Sequence, residues 1–375
     1  MRIDPTLSPT PDAWLAANAP DEPVFFFHPA RLMQVGRMFL EAFPGLVTYA
    51  VKANPAPEMI RALHAAGVTA FDVASPAEMA LVRAEAPGAA LHYHNPVRSA
   101  SEVAAGQEAG CLSWSVDRMP ELEKLAGLPR GTEIAVRLKL PVAGAAYDFG
   151  AKFGATPEQA TQLLRRVVEL GFSPSVTFHP GTQCTSPAPW ARYIVEAAAV
   201  ARSAGVALYR LNVGGGFPSH RDAGKPDLQA IFDTIREAAQ GAFDSPPQLV
   251  CEPGRALAAE ALTLATRVKG VHDEAVFLND GVYGGLAEWR DIAPMDRVRA
   301  VSGTGTELGG AKTRRVVFGP TCDSIDRLPE TLPLPSDLAE GDYLLFEGMG
   351  AYSRALVTGF NGYGVRRVVE IENQD

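Results

Sequence analysis

Three short stretches carry residue types that could do chemistry. Val47-Thr48-Tyr49-Ala50-Val51-Lys52 is a mostly apolar β-type run that ends in a lysine, followed by Ala53-Asn54-Pro55. Lysine is rarely buried without a partner, and an amine held in a desolvated pocket at a strand end is what imine chemistry with a carbonyl compound requires. Taken alone, Lys52 reads first as a strand-end lysine in solvent. Gly214-Gly215-Gly216-Phe217-Pro218 follows a second apolar run. Three glycines there let backbone N–H groups approach an anion, a phosphate above all, although a tight turn without ligand uses glycine in the same way. Cys251-Glu252-Pro253-Gly254-Arg255 follows a third run. Its guanidinium can pair with phosphate oxygens, and its carboxylate can hold a protonated ring nitrogen or simply be solvated.

The combination is more informative than any member. A lysine for an imine, glycines and an arginine for a phosphate, and a carboxylate for a pyridine nitrogen are the three handles of pyridoxal 5'-phosphate. His179 could then lie flat against the ring, where alone it would read as a core histidine. His92 and His94 stand at strand spacing on one face, but no carboxylate cluster is near them in the sequence, so no metal site is expected.

These residues need a frame that brings them together. Apolar or β-rich runs at 47–51, 69–73, 90–93, 112–116, 133–138, 175–178, 208–213 and 248–251 alternate with helical patterns at 57–66, 76–86, 100–109, 119–126, 157–170, 189–204 and 227–240. A further helix is expected over 29–43, after a short strand at 24–27. Several helices open with proline, which suits a first turn. Eight strands alternating with helices predict an α/β fold, a (β/α)8 barrel of the TIM type, whose chemistry sits at the C-terminal ends of its strands. Those ends carry Lys52, Asp72, His94-Asn95, Asp117, His179, Asn212 to Gly216 and Glu252, with Arg137 late in the fifth run. Beyond 265 the helical period fades and β-type runs appear at 266–271, 275–279, 314–318, 342–346 and 365–370. They predict a second, mostly antiparallel β domain. The expected division is 28–265 for the barrel, with 1–27 and 266–375 for the β domain. The Gly/Thr-rich residues 301–313 read as a flexible loop.

Composition narrows the partner. The 375 residues are 47% hydrophobic and 21% charged, with a formal net charge of -9. That balance argues against a nucleic-acid surface or an anionic-membrane anchor, both of which need clustered Lys and Arg, and leaves a small molecule. The N-terminal residues show no basic start followed by an apolar core, so neither a signal peptide nor a membrane span is expected, and cytoplasmic residence is the default. Cys111, Cys184, Cys251 and Cys322 form no CxxC pair, which suggests neither a zinc knuckle nor a disulfide framework.

The motifs also resemble a known family. Tyr49 to Asn54, Phe71-Asp72-Val73-Ala74-Ser75, His179-Pro180-Gly181-Thr182-Gln183, Gly214 to Pro218, Glu252 to Arg255, Gly319-Pro320-Thr321-Cys322-Asp323-Ser324 and Gly350-Ala351-Tyr352, with Phe360-Asn361-Gly362, look like the motif series of fold-type III pyridoxal-phosphate decarboxylases, ornithine decarboxylase branch. The series is collinear over nearly the whole chain. It implies a barrel plus a β domain in a head-to-tail homodimer with active sites at the subunit interface. By this carry-over Lys52 forms the imine, His179 stacks on the ring and Glu252 pairs with its nitrogen. Thr182, Gly214, Gly215, Gly216, Arg255 and Tyr352 hold the cofactor, with Asp72 and Arg137 supporting the imine side. Cys322 and Asp323 come from the partner chain, the thiol to return a proton after carbon dioxide leaves and the carboxylate to meet the substrate's distal ammonium.

Two stretches depart from the pattern. Pro180 stands where the family has a small aliphatic residue, and Glu288-Trp289-Arg290-Asp291 replaces the stretch before a substrate-binding aspartate. Asp291 is the candidate for that acidic contact, while Arg290 beside it could instead welcome a carboxylate. The implied activity is decarboxylation of a basic L-amino acid, ornithine to putrescine first and lysine to cadaverine second. The alternatives are diaminopimelate decarboxylase, whose branch carries Cys-Glu-Ser where this chain has Cys322-Asp323-Ser324, and a silent regulatory homologue, which would have lost the cofactor residues retained here.

Overall fold

Residues 34–218 and 226–254 form one compact unit, and residues 1–33, 219–225 and 255–375 form another. The computed structural model describes residues 2–140, 152–222, 224–292 and 296–372, without the side chains of 2–8 and 291. Among the described residues no helix is long and apolar enough to cross a membrane.

The first unit is a closed barrel of eight parallel strands. In chain order they are Gly45–Ala50, Ala70–Val73, Ala90–Tyr93, Ser113–Val116, Glu133–Arg137, Ser173–Thr177, Arg210–Asn212 and Gln248–Cys251, and the last pairs with the first. The expected runs match these strands to within two residues at every end. Proline occupies the first turn of helices Pro57–Ala65, Pro76–Glu85 and Pro157–Glu169, where its missing N–H costs nothing. Ser99 with Glu102, and Thr156 with Gln159, close capping boxes on two of the helices, satisfying backbone donors that would otherwise be left open. Outside the strands, Phe39, Phe43, Phe217 and Phe232 meet edge to face at 5.2 to 6.5 Å between ring centroids, clamping helix Leu228–Ala242 to the barrel.

The second unit holds a nine-stranded mixed sheet. Val24–Phe27 joins it, antiparallel to the long strand Leu262–His272 and parallel to Arg367–Ile371. Leu262–His272 also pairs antiparallel with Tyr343–Phe346 and Ala275–Leu278. Trp14, Phe26, Tyr343, Leu345 and Val369 pack into its core.

Three expectations change. The sheet unit claims 28–33, which follow the strand Val24–Phe27, and residues from 255 onward, because Leu262–His272 is bonded into it well before 266; it also claims 219–225, where Arg221 pairs with Glu288. Strands Arg2–Ser8, Val298–Val301 and Leu332–Pro335 were not expected. Residues 302–306, inside the supposed flexible loop, form a hydrogen-bonded turn in which Ser302 N donates to the Thr306 carbonyl at 2.8 Å.

Helix Ala100–Glu108 offers a test of this packing, since a Cβ at buried Gly106 would overlap the Trp114 indole. Overpacking costs about 1–3 kcal/mol, against at most about 1 kcal/mol gained in helix propensity by Gly→Ala. Gly106→Ala therefore lowers the thermal midpoint, whereas Gly241→Ala, with nothing within 4 Å of the new methyl, raises it. Equal shifts of the same sign in calorimetry would contradict the packing described.

Candidate active site

The C-terminal strand ends converge on a cavity of about 190 Å³ whose walls include Lys52, Asp72, His94, Arg137, His179 and Glu252. A larger cavity, about 550 Å³, lies in the sheet unit, but it contains none of the strand-end residues, so chemistry rather than size selects the barrel mouth. Asp117 does not line the smaller cavity. It bonds Arg118 at 2.7 Å and the Gly154 N–H at 3.0 Å, which is a structural role.

Lys52 sits in a single 3-10 turn, Val51–Ala53, directly after the first barrel strand. It is exposed, which corrects the expectation of a desolvated amine: the strand ends at Ala50 and the turn lifts the side chain to the rim. Its charge still reaches the floor, where it lowers the proton affinity of both Asp72 and Glu252.

Glu252 is the hub. His94 Nδ1 lies 2.5 Å from Glu252 Oε1, and Asn212 Nδ2 donates to the same oxygen at 2.5 Å. Behind them His94 Nε2 meets Ser113 Oγ at 2.9 Å, and Asn212 Oδ1 accepts from Gly214 N at 2.9 Å. Burial alone would raise the Glu252 pKa, but the charge and hydrogen bond of His94, the charge of Lys52 and the Asn212 amide outweigh it and hold it at about 2. His94 is raised in turn: burial opposes its charge, and Glu252 wins. The pair is a buried ion pair with further hydrogen bonds, the condition under which such pairs persist. Asp72, His94 and Glu252 bring potential ligand atoms within 4.8 Å of one another, so space supplies the carboxylates that the sequence around His92 and His94 lacks. Both ring nitrogens of His94 are already engaged, by Glu252 and Ser113, and the cluster reads as hydrogen-bonded rather than metal-binding. The sequence showed His94 and Asn212 as strand-end residues without roles and gave no sign of Ser113.

His179 has its Nδ1 facing the Gly181 N–H at 3.2 Å, which leaves the proton on Nε2. Burial first, then the charges of Arg137 and Lys52, push its pKa down to about 3, so the imidazole is neutral. Arg137 lies over the Phe153 ring at 5.3 Å. Thr182 is half-buried.

The glycine triplet is required by backbone crowding. Gly214 and Gly216 have φ of +69° and +86°, and a Cβ on either would run into the carbonyl oxygen of Phe178 or Gly181. A Cβ on Gly215 would come within 2.9 Å of the Glu252 carbonyl oxygen and 3.2 Å of His179 Nε2. Among the described residues the N–H groups of Gly215 and Gly216 donate no hydrogen bond. Two free donors on a side-chain-free loop suit an anionic group, and the carboxylate and neutral imidazole beside them suit a heteroaromatic ring. The residues present fit pyridoxal 5'-phosphate.

The remaining candidates belong to the sheet unit. Arg255 is buried, pairs with Glu288 and lies 4.9 Å from the Tyr352 ring. Glu288, which the sequence did not single out as a partner for Arg255, also accepts from Arg221 at 3.1 Å. Cys322 is exposed, its Sγ and its N–H both directed at Asn361 Oδ1, at 3.4 and 3.3 Å. Asp323 accepts from the Tyr283 hydroxyl at 2.6 Å and from Ile325 N at 3.1 Å, and these bonds hold its carboxyl below the usual range. Cys322 and Asp323 share a cavity of about 390 Å³. Asp291 ends helix Ala287–Asp291, and its side chain lies outside the described residues. Arg290 is exposed.

Asp72 generates a pH test. It is buried, its Oδ1 has no hydrogen-bond partner among the described residues, and desolvation first, then repulsion by Glu252, raise its pKa from 3.8 to about 7. A carboxyl whose folded pKa lies above its unfolded value costs stability increasingly from the lower pKa up to the higher, and no more beyond. In the cofactor-free protein the gain in thermal midpoint on Asp72→Asn should therefore grow from pH 4 to 7 and level off above. A gain independent of pH would show that Asp72 is not held protonated.

The pyridoxal-binding domain of the pyridoxal-dependent decarboxylases matches residues 30–259 of this chain. Decarboxylase flvG of Aspergillus flavus is 33% identical over 336 residues, 84% of this chain and 77% of the relative. The lysine/ornithine decarboxylase of Selenomonas ruminantium is 31% identical over 341 residues, 88% and 84% of the two chains. Among solved structures, lysine/ornithine decarboxylase of Vibrio vulnificus complexed with putrescine superposes with a TM-score of 0.82 at 27% identity, covering 97% of this chain and 99% of that one. With a matching cofactor-binding domain, relatives aligned over most of both chains and a barrel mouth that fits the cofactor, this chain belongs to the pyridoxal-dependent decarboxylases.

Proposed function

We propose that the chain decarboxylates a basic L-amino acid, ornithine to putrescine foremost and lysine to cadaverine next, in a homodimer with shared active sites. The observation that carries the substrate choice is Asp323, an ionised carboxylate fixed by Tyr283 beside the Cys322 thiol in one cavity. A distal ammonium is the group such a carboxylate attracts. The Vibrio vulnificus relative with bound putrescine accords with this reading.

Bound pyridoxal 5'-phosphate supplies the electron sink that takes up the bonding pair when the α-carboxylate departs as carbon dioxide. Everything else falls to the chain. Lys52, at the rim, would be the residue that holds the cofactor through its amine. Neutral His179 would pack against the ring without adding charge, and Glu252 would be the anionic partner of the ring nitrogen. Gly215 and Gly216 would donate to the phosphate, and Arg255, beside the Tyr352 ring, would be a further phosphate ligand. Asp72 and Arg137 flank the Lys52 side, and Thr182 belongs to the same cofactor cradle. Cys322 of a second copy, with Asn361 orienting its Sγ, returns a proton to the α-carbon, and Asp323 of that copy, with Asp291, meets the distal ammonium. Sheet-unit residues joining another copy's barrel mouth would cover the Cys322 thiol, which is exposed in the single chain.

A carboxylate-ended substrate such as diaminopimelate is the second reading, favoured by Lys269, which lines the cavity of Cys322 and Asp323, and by exposed Arg290. Product release from ornithine, lysine, arginine and diaminopimelate separates the two, and turnover of diaminopimelate equal to or above that of ornithine and lysine would reject the first. Asp323→Asn should lower kcat/KM for ornithine and lysine roughly ten- to a hundred-fold, as loss of a charged hydrogen bond in the transition state does, with the cofactor dissociation constant unchanged. A parallel loss of cofactor affinity would place Asp323 elsewhere. Mixing inactive Lys52→Ala and Cys322→Ala proteins should restore part of the activity, because one of the two mixed sites is intact. Absence of recovery despite verified subunit exchange would exclude shared sites.

A further inference from the structure

The bonds to Glu252 are one-sided. His94 Nδ1 and Asn212 Nδ2 both fall on Oε1, each at 2.5 Å, and among the described residues Oε2 carries no hydrogen bond. Two donors on one oxygen, coming from the ends of the third and seventh barrel strands, fix the rotation of a carboxylate that one donor would leave free to turn. His94 is itself held from behind by Ser113 Oγ at 2.9 Å on Nε2. The ring therefore cannot tilt away without losing two bonds. It is surrounded by Glu252 from the eighth strand end, Asp72 from the second strand, Glu133 from the fifth and His92 from its own strand. Of these, Glu252 alone bonds it directly.

We propose that His94 is a positioning residue for decarboxylation: by engaging Glu252 Oε1, jointly with Asn212 and braced by Ser113, it turns Oε2 toward the ring nitrogen of the cofactor. This rests on the reading that Glu252 partners that nitrogen. Its consequence is that the precision of the nitrogen contact is set by a residue that does not touch the cofactor. The raised proton affinity of His94 beside Glu252 accords with a donor whose proton stays on the Glu252 side.

Two substitutions separate donation from bulk. The amide nitrogen of asparagine takes the place of Nδ1, so His94→Asn keeps a donor for Glu252, while that of glutamine takes the place of Nε2, so His94→Gln keeps only the Ser113 side. Cofactor-free protein is titrated with pyridoxal 5'-phosphate by tryptophan fluorescence, alongside thermal midpoints and steady-state kinetics. His94→Gln should raise the cofactor dissociation constant and lower kcat, each roughly tenfold, the scale of one charge-assisted hydrogen bond. His94→Asn should recover most of both losses. In a Glu252→Gln background His94→Gln should add nothing further, since the oxygen it orients no longer carries charge. Equal losses in the two His94 variants, the same loss in the Glu252→Gln background, or no loss from His94→Gln would each overturn the proposal. If His94→Gln does not fold, Ser113→Ala makes the same comparison, weakening cofactor binding only where Glu252 is intact. Should Glu252→Gln leave cofactor affinity and turnover unchanged, the reading of Glu252 fails, and that outcome is distinct from a silent His94.

Discussion

The barrel mouth is organised around one buried negative charge. A carboxylate taken out of water costs several kcal/mol unless it is paired and hydrogen-bonded. Glu252 meets that condition through His94 and Asn212. The donors come from strands far apart in sequence, so the bonds also tie the third, seventh and eighth strand ends together, with Ser113 extending the tie to the fourth. The backbone follows the same centre: the Glu252 N–H donates to the Gly214 carbonyl at 2.8 Å, and the triplet's lack of side chains permits that approach. Removing the charge would loosen the geometry of four strand ends at once.

A parallel arrangement stabilises the sheet unit's cofactor candidate. Glu288 lies between Arg221 and Arg255, all three buried. Two cations on one anion leave a net positive charge, and Arg255 Nε has no partner among the described residues. A guanidinium so held keeps unspent capacity for a dianionic group, while the pairing fixes where its plane lies. The same carboxylate sits in helix Ala287–Asp291.

The eight barrel strands were legible because each is a short apolar run that ends at or beside a residue that does not belong in one: Lys52, Asp72, His94, Asp117, Arg137, His179, Asn212 or Glu252. Two of the three strands that escaped notice have a physical reason. Arg2–Ser8 contains Pro5, and Leu332–Pro335 contains Pro333 and Pro335; proline argues against a central strand, and these two occupy the edges of the main sheet path. The candidate residues were legible as types at strand ends, but their pairings were not. His94 and Glu252 are 158 positions apart, and nothing in local spacing says that a histidine at one strand end will bond a carboxylate at another. The exposure of Lys52 was hidden for the opposite reason, since a one-turn difference in where a strand stops decides whether a side chain points inward or lies at the rim.

The two carboxylates of the cavity have been driven apart by their surroundings. Glu252 has donors and stays ionised, with a pKa of about 2. Asp72, buried with an unbonded oxygen, is pushed up to about 7. Environments that split like groups in this way mark sites where charge is to be handled. The cavity also holds a neutral imidazole and an amine at the rim, and beyond its lining the N–H groups of Gly215 and Gly216 donate no hydrogen bond among the described residues. Each of these is a partial need, and the needs differ in sign: donors where an anion would sit, a carboxylate where a protonated nitrogen would sit, and a second carboxyl poised near neutrality beside the amine. A ligand with a phosphate at one end, a ring nitrogen held by Glu252 and a carbonyl within reach of Lys52 meets all of them at once. Any such ligand that leaves a cation next to Asp72 would favour its ionised form. Cofactor binding and the loss of the Asp72 proton are then linked, each promoting the other by the same free energy.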